Sequence, residues 1–261
     1  MLVVGVSNTP WIPERAASMA RLRSALGCHR ALKPDHYFEM TDPAHVSVWA
    51  GRMWRRALDL SGGRGHTVFL QDDDCVPPAG LLVAALRAIL DVVPDQLIGL
   101  HLHHPGAVAA HHAGERFVTT MSCVGVGYVM PAPLLADFLA WRERLDPQLV
   151  YATSEDNLLD AWLIHRRRRV WHPVPTVVRP DRQLVSTGGG GGRTGADDQY
   201  MRSTVLGWEH FAAGELADSA WWRVGLRLPP RHLVFGGIAR PGVSRTQMPA
   251  GFDGHATLRG S

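Results

Sequence analysis

Lysine is all but missing from this sequence. Lys33 is the single example, and the other 26 of the 27 basic residues are arginine. Cysteine is scarce as well. Cys28, Cys75 and Cys123 are odd in number and nowhere spaced as Cys-x-x-Cys. That argues against a disulfide framework or a zinc ribbon and favours a reducing compartment. No apolar run reaches the roughly 18 residues needed to cross a bilayer. No basic stretch precedes the apolar start at Leu2, so a secretory leader is not expected. The expectation is a soluble, cytoplasmic protein. An internal repeat is also missing.

What remains is an ordinary globular balance. Of 261 residues, 46% are hydrophobic and 20% charged, which excludes a disordered chain and is enough for a full α/β core. The net charge is only +3. Arginine binds phosphate or carboxylate as a planar fork, so its dominance raises an anionic ligand beside the plainer explanation of codon bias.

Strand-like and helical patterns alternate through the first two thirds of the chain. This predicts a mostly parallel sheet flanked by helices. Strands are expected at Leu2–Val6, His36–Met40, His66–Leu70 and Leu97–His103, with helices at Glu14–Leu26, Val46–Leu58 and Leu81–Leu90. Phe117–Val129 is β-rich and punctuated by glycine. Pro133–Leu145 and Ser154–His165 read as helices, the second with Ser154 as its N-cap. Val170–Val178 carries Pro173 and Pro175 and so reads as an edge strand or a loop. Gly188–Gly192 is a five-glycine stretch, Asp197–Ala217 looks helical, and the last dozen residues read as a loose tail.

Asp72-Asp73-Asp74 is the most informative feature. Three carboxylates that end an apolar strand sit where open α/β sheets bind ligands. Adjacent negative charges repel, so the folded state needs a compensating cation or strong donors. Hard oxygen ligands suit Mg²⁺ or Mn²⁺, and a solvated acidic turn is the alternative. His101, His103 and His104, with His111 and His112 nearby, form a second cluster, but no local carboxylate or cysteine completes a zinc site.

The run Val68-Phe69-Leu70-Gln71-Asp72-Asp73-Asp74-Cys75-Val76-Pro77 resembles the strand-end DxD motif of the GT-A glycosyltransferases. Gly125–Pro131 resembles the small-residue strand before that family's acceptor region. Ser154-Glu155-Asp156-Asn157-Leu158-Leu159 resembles its Glu-Asp helix, and Trp171–Val178 with Ser186-Thr187 its closing strand and loop. The motifs occur in the family's order over roughly residues 2–190.

The resemblance implies a GT-A-like, Rossmann-like catalytic domain over 1–190, with a nucleotide-sugar half (1–112) and an acceptor half (113–190). Residues 191–261 would be a C-terminal helical or lid extension. It implies an inverting, metal-dependent transfer of a sugar from a nucleoside-diphosphate sugar, UDP foremost, to an acceptor hydroxyl. Asp72 and Asp74 would hold Mn²⁺ or Mg²⁺, with His172 as a further ligand. Arg179-Pro180 stands where relatives often carry a histidine. Asp156 would be the base and Glu155 would orient the acceptor. Thr9, Arg15, Asp72, Asp73, Arg179 and Arg193 would contact the nucleotide sugar.

Arg166, Arg167, Arg168 and Arg169 follow the Glu-Asp helix and would lie near the acceptor. They are either a solvated helix end or a surface for the phosphates of DNA. A hydroxymethylated DNA base is therefore one acceptor, and a soluble glycan, protein or small molecule another. A metal-dependent phosphohydrolase and a silent nucleotide-binding module are the competing classes.

Overall fold

The computed structural model describes residues 1–10, 12–27, 33–41, 46–78, 80–122, 126–181, 206–226 and 229–234. The side chains of residues 46–48 are not among them. The chain begins β1 (Leu2–Ser7), α1 (Pro13–Gly27), β2 (His36–Met40), α2 (Val46–Ser61) and β3 (His66–Gln71). After the short β4 (Asp74–Cys75) come α3 (Leu81–Val92), β5 (Ile98–Gly99), α4 (Pro105–His112) and β6 (Phe117–Thr120). Next are β7 (Tyr128–Pro131), α5 (Ala132–Arg142), α6 (Pro147–Ala152), α7 (Glu155–Arg166), β8 (Val170–Pro173) and β9 (Arg179–Pro180). A 3₁₀ turn at Trp208–His210, α8 (Ala213–Leu216), α9 (Ser219–Val224) and β10 (Arg231–His232) follow.

The main sheet has the order β10-β6-β8-β5-β7-β3-β1-β2. Strands β1, β2, β3, β5 and β8 run one way, while β6, β7 and β10 run against them. The architecture is α/β with a mostly parallel, mixed sheet. Alternation along the strands decides the two faces. Leu2, Val4, Val6, Val68 and Leu70 pack with α1, α3, α8 and α9 in one core cluster. Val3 and Phe69 point to the other face and pack with α2, α5 and α7. Helix α3 is apolar on most sides, and Leu82, Leu86 and Ile89 are completely buried.

Several boundaries differ from those the sequence predicts. Leu97–His103 contributes only Ile98–Gly99 as strand; Leu100 still donates to Gly127 in line with the β5–β7 register (2.9 Å), while its carbonyl accepts from Val177 and Val178 (3.1 Å each). Phe117–Val129 splits into β6 and β7, and β7 inserts antiparallel between β3 and β5. β8 ends at Pro173, and Val174 still donates to the Arg116 carbonyl (2.8 Å), in line with the β6–β8 register. The described part of the C-terminal segment is integral to the domain: Trp222 is fully buried against α3, and β10 pairs with β6. The five glycines, Arg193 and the tail lie outside the described residues. No helix among the described residues is long and apolar enough to cross a membrane.

Candidate functional site

The parallel strands β1, β3, β5 and β8 end along one edge of the sheet, and chemistry-bearing residues collect there. Asp72 follows β3, and its backbone N–H bonds to the Ser7 carbonyl at the end of β1 (3.0 Å). That contact puts the aspartates beside the β1–α1 turn. The Asp72 carboxylate is completely buried. It accepts from the Thr9 N–H (2.6 Å), the Thr9 hydroxyl (2.5 Å) and Arg15 Nη1 (2.5 Å). The second guanidinium nitrogen of Arg15 reaches Asp73 at 2.8 Å. Arg15 is itself only 2% exposed, so one arginine fork ties two of the three acids to α1.

Asp74 is different. It is 3% exposed and accepts from the Gln71 N–H at 2.8 Å. Burial, reinforced by the charges of Asp73 and Asp72, raises its pKa well above the ordinary carboxylate value. Its surroundings therefore oppose the charged form of Asp74.

A two-strand ribbon closes this corner. Cys75 in β4 pairs with Arg179 in β9, Asp74 pairs with Pro180, and the Asp181 N–H donates to the Asp73 carbonyl at 2.6 Å. The backbone of Arg179 thus lies beside the aspartate run. Its side chain, however, ion-pairs with Glu209 (2.7 Å) and lies over the Trp208 ring (5.1 Å).

Helix α7 leads through a short turn into β8, which runs parallel to β3, so its N-terminus returns to the aspartate edge. Glu155 and Asp156 are therefore at the same edge, though they approach from the opposite layer of helices. Glu155 is 8% exposed, its Oε1 lies 3.5 Å from Arg142 Nε, and neither of its oxygens makes a hydrogen bond. Burial pushes it up to about 8, against the opposing pull of Arg142. At neutral pH it is a protonated acid, suited to donating a hydrogen bond rather than to taking a proton. Asp156 is half-buried, and its Oδ1 accepts from the Asn157 N–H at 3.0 Å.

Two expected ligands do not fit a metal. Both oxygens of Asp72 are taken by Thr9 and Arg15, which makes it the anchor of the corner. His172 sits on β8, three strands from β3, or about 14 Å at the usual inter-strand spacing. It is fully buried, with Nδ1 3.1 Å from the carbonyls of both Gly99 and His101 and Nε2 2.9 Å from the Thr120 hydroxyl. Those partners fix a neutral ring that donates from Nδ1 and accepts at Nε2. Burial lowers its pKa to about 4. Among the described residues, no group of three or more His, Cys, Asp or Glu side chains is arranged to enclose a metal ion.

Arg15 and Thr9 likewise hold aspartates rather than facing outward for a nucleotide. The arginine run is the clearest displacement. It lies at the far end of α7, about 17 Å from Glu155 at 1.5 Å per residue, and so at the opposite edge of the sheet. Arg166 there forms a two-pronged pair with Asp137 (2.9 and 2.5 Å).

Helices α4, α6 and α9 and the Arg142–Glu155 pair are not among the sequence expectations. Asp146 before Pro147 is an N-cap signal for α6 that was there to be read, and Asp146 does accept from the Gln148 N–H. No known protein-family model matches the chain, and no curated protein matches it significantly.

Proposed function

We propose that the protein is a metal-dependent glycosyltransferase of the GT-A type, moving a sugar from a nucleoside-diphosphate sugar to an acceptor hydroxyl with inversion. One observation carries the reading. A buried, arginine-braced aspartate corner and an acid pair at a helix N-terminus, Glu155 buried and Asp156 half-buried, share the C-terminal edge of one mixed sheet. Open α/β sheets bind their ligands at that edge.

The residues fit a divalent cation in a restricted way. With both oxygens of Asp72 taken by Thr9 and Arg15, the carboxylates that would ligate it are Asp74, which already accepts from the Gln71 N–H, and Asp73, which already holds Arg15 through Oδ2. Two carboxylates completed by water and substrate phosphate oxygens are a usual set for Mg²⁺ or Mn²⁺. Asp74, held towards its neutral form by its neighbours, is the acid whose ionisation a cation would favour. Such an ion supplies Lewis-acid stabilisation to the diphosphate leaving group.

The chain's own residues then have distinct tasks. Thr9 and Arg15 hold Asp72 and, through it, set the direction of Asp73 and Asp74. Asp156 takes the proton from the attacking hydroxyl. Glu155, protonated at neutral pH, donates a hydrogen bond that orients the acceptor. Arg179 stands beside the aspartates as a cation for the diphosphate, provided Glu209 releases it. A soluble glycan, protein or small molecule is the favoured acceptor. Arg166–Arg169, which would have met a DNA backbone, are at the other edge.

The test is turnover of a panel of UDP-, GDP- and dTDP-sugars with Mn²⁺, followed by nucleotide release. One nucleotide sugar is expected to be consumed, and Asp73→Asn and Asp74→Asn to abolish the turnover. Cleavage of p-nitrophenyl phosphate with no nucleotide sugar consumed would reject the transferase and favour a phosphohydrolase.

A further inference from the structure

Away from the aspartate corner, a groove of about 320 Å³ opens between α2, α5 and α6. Its walls carry Arg52, Arg55 and Arg142, and its remaining lining includes Leu145, Pro147 and Val150. Its lining mixes apolar side chains with a few polar groups, as small-molecule sites do, and its volume is at the small end of their usual range.

The charge in the groove is built in by the backbone. Gly51 lies in the middle of α2, where glycine weakens a helix by roughly 0.5–1 kcal/mol relative to alanine. The reason for it is Arg142. A Cβ on Gly51 would sit 2.5 Å from Arg142 Nη1 and 2.6 Å from its Cζ, so the guanidinium lies flat on the bare helix. Arg142 is 13% exposed, and the Glu155 carboxyl at 3.5 Å holds its other side. Arg55 is exposed and ion-paired with Glu143 on the groove rim, and Arg52 is exposed one turn earlier on the same helix. Among the described residues, three guanidinium groups and the Glu143 carboxylate line the cavity.

We infer that this groove binds the anionic group of a small organic molecule, phosphate or carboxylate, with the molecule's apolar part on Leu145, Pro147 and Val150. Arg142 is the inner contact and Arg52 the outer one. The groove adjoins the N-terminus of α7 through the Arg142–Glu155 pair, so its ligand is the acceptor substrate. That last assignment rests on the transferase reading, whereas the binding itself does not.

The experiment is calorimetric titration of the whole protein, without nucleotide or metal, with phenyl phosphate, benzoate and phenol at low ionic strength. One of the two anions is expected to bind and phenol not to. Comparing phenyl phosphate with benzoate decides between phosphate and carboxylate. Arg52→Gln, an exposed change that leaves the core untouched, is expected to weaken binding at least about tenfold, the loss of a charge-assisted contact. Gly51→Ala, which displaces the Arg142 guanidinium without removing its charge, is expected to do the same. Arg168→Gln at the opposite edge is expected to change nothing. Equal affinity in Arg52→Gln and the unaltered protein, phenol binding as well as the anions, or no anion binding at all would overturn the site. If nucleotide sugars are never turned over while anion binding stays sensitive to Arg52 and Gly51, the transferase reading fails and the site stands.

Discussion

Replacing Arg15 with methionine separates a residue that organises the aspartates from one that waits for a nucleotide. Arg15 and Asp72 are 2% and 0% exposed, and one guanidinium bridges Asp72 at 2.5 Å and Asp73 at 2.8 Å. Methionine matches much of the apolar stem but leaves both carboxylates without their cation. Removing one partner of a buried ion pair costs about 3–5 kcal/mol, because the remaining charge stays buried. For a domain of this size each kcal/mol moves the melting temperature by roughly 2–4 °C, so Arg15→Met is expected to melt about 6–20 °C lower. Circular dichroism melts of Arg15→Met, Asp72→Asn and the double variant close a thermodynamic cycle. The double variant is expected to be more stable than the sum of the single losses by at least about 1 kcal/mol, the coupling of residues in direct contact. A melting temperature for Arg15→Met within a degree of the unaltered protein would refute the reasoning. Arg15 would then be a dispensable surface cation of the kind that suits a ligand contact.

Other expectations follow from the same structure. Glu155 is raised to about 8 in the fold but titrates near its ordinary value when unfolded. The native state therefore binds the extra proton between those values, and stability falls as pH rises towards 8, by up to about 5 kcal/mol at 1.36 kcal/mol per pH unit. Denaturant melts of Glu155→Gln are expected to lose that decline, and an unchanged pH profile would contradict it. His172 acts in the opposite direction. Its fold-depressed value of about 4 means that the unfolded chain takes up the proton first as pH falls below 6.5, so stability drops by up to about 3 kcal/mol on the way to pH 4. His172→Gln is expected to flatten this acid limb and to leave Mn²⁺ binding unaltered, and loss of Mn²⁺ binding would restore His172 as a ligand. Gly65 has φ +71°, and a Cβ there would meet the Met1 carbonyl at 2.2 Å. Gly65→Ala is therefore expected to destabilise by more than about 1 kcal/mol in chemical denaturation, and a neutral result would be inconsistent with the turn described.

The parts of the fold that depend on neighbouring residues were legible in the chain. Val68-Phe69-Leu70 alternates between two buried faces and runs straight into acids, so a central strand ending in an aspartate cluster needed no structure to be seen. The helix opening at Glu155 was equally clear from Ser154 and the two acids behind it. What could not be read were pairings across sequence distance. Arg15 is 57 residues from Asp72, and nothing in either segment names the other. The antiparallel insertion of β7 between β3 and β5 depends on how the chain returns after β6, which no periodicity records. The arginine run was misplaced for a simple geometric reason. Four arginines at the end of a helix are close in sequence to its start, but the helix carries them across the whole depth of the sheet. A buried histidine satisfied by backbone carbonyls, as His172 is, and one available to a metal look alike in sequence.

The central claim is that Asp73 and Asp74 form the cation-dependent end of a nucleotide-sugar site. Its most direct test is calorimetric binding of UDP-, GDP- and dTDP-sugars, with and without Mn²⁺, to the unaltered protein and to Asp74→Asn. Asparagine reproduces the shape of the neutral acid that burial favours at this position, so the variant is expected to fold. The account predicts that one nucleotide sugar binds only with Mn²⁺ and that Asp74→Asn weakens this binding at least about tenfold, the loss of one charged ligand. Binding that needs no Mn²⁺, or that Asp74→Asn leaves unchanged, would contradict it.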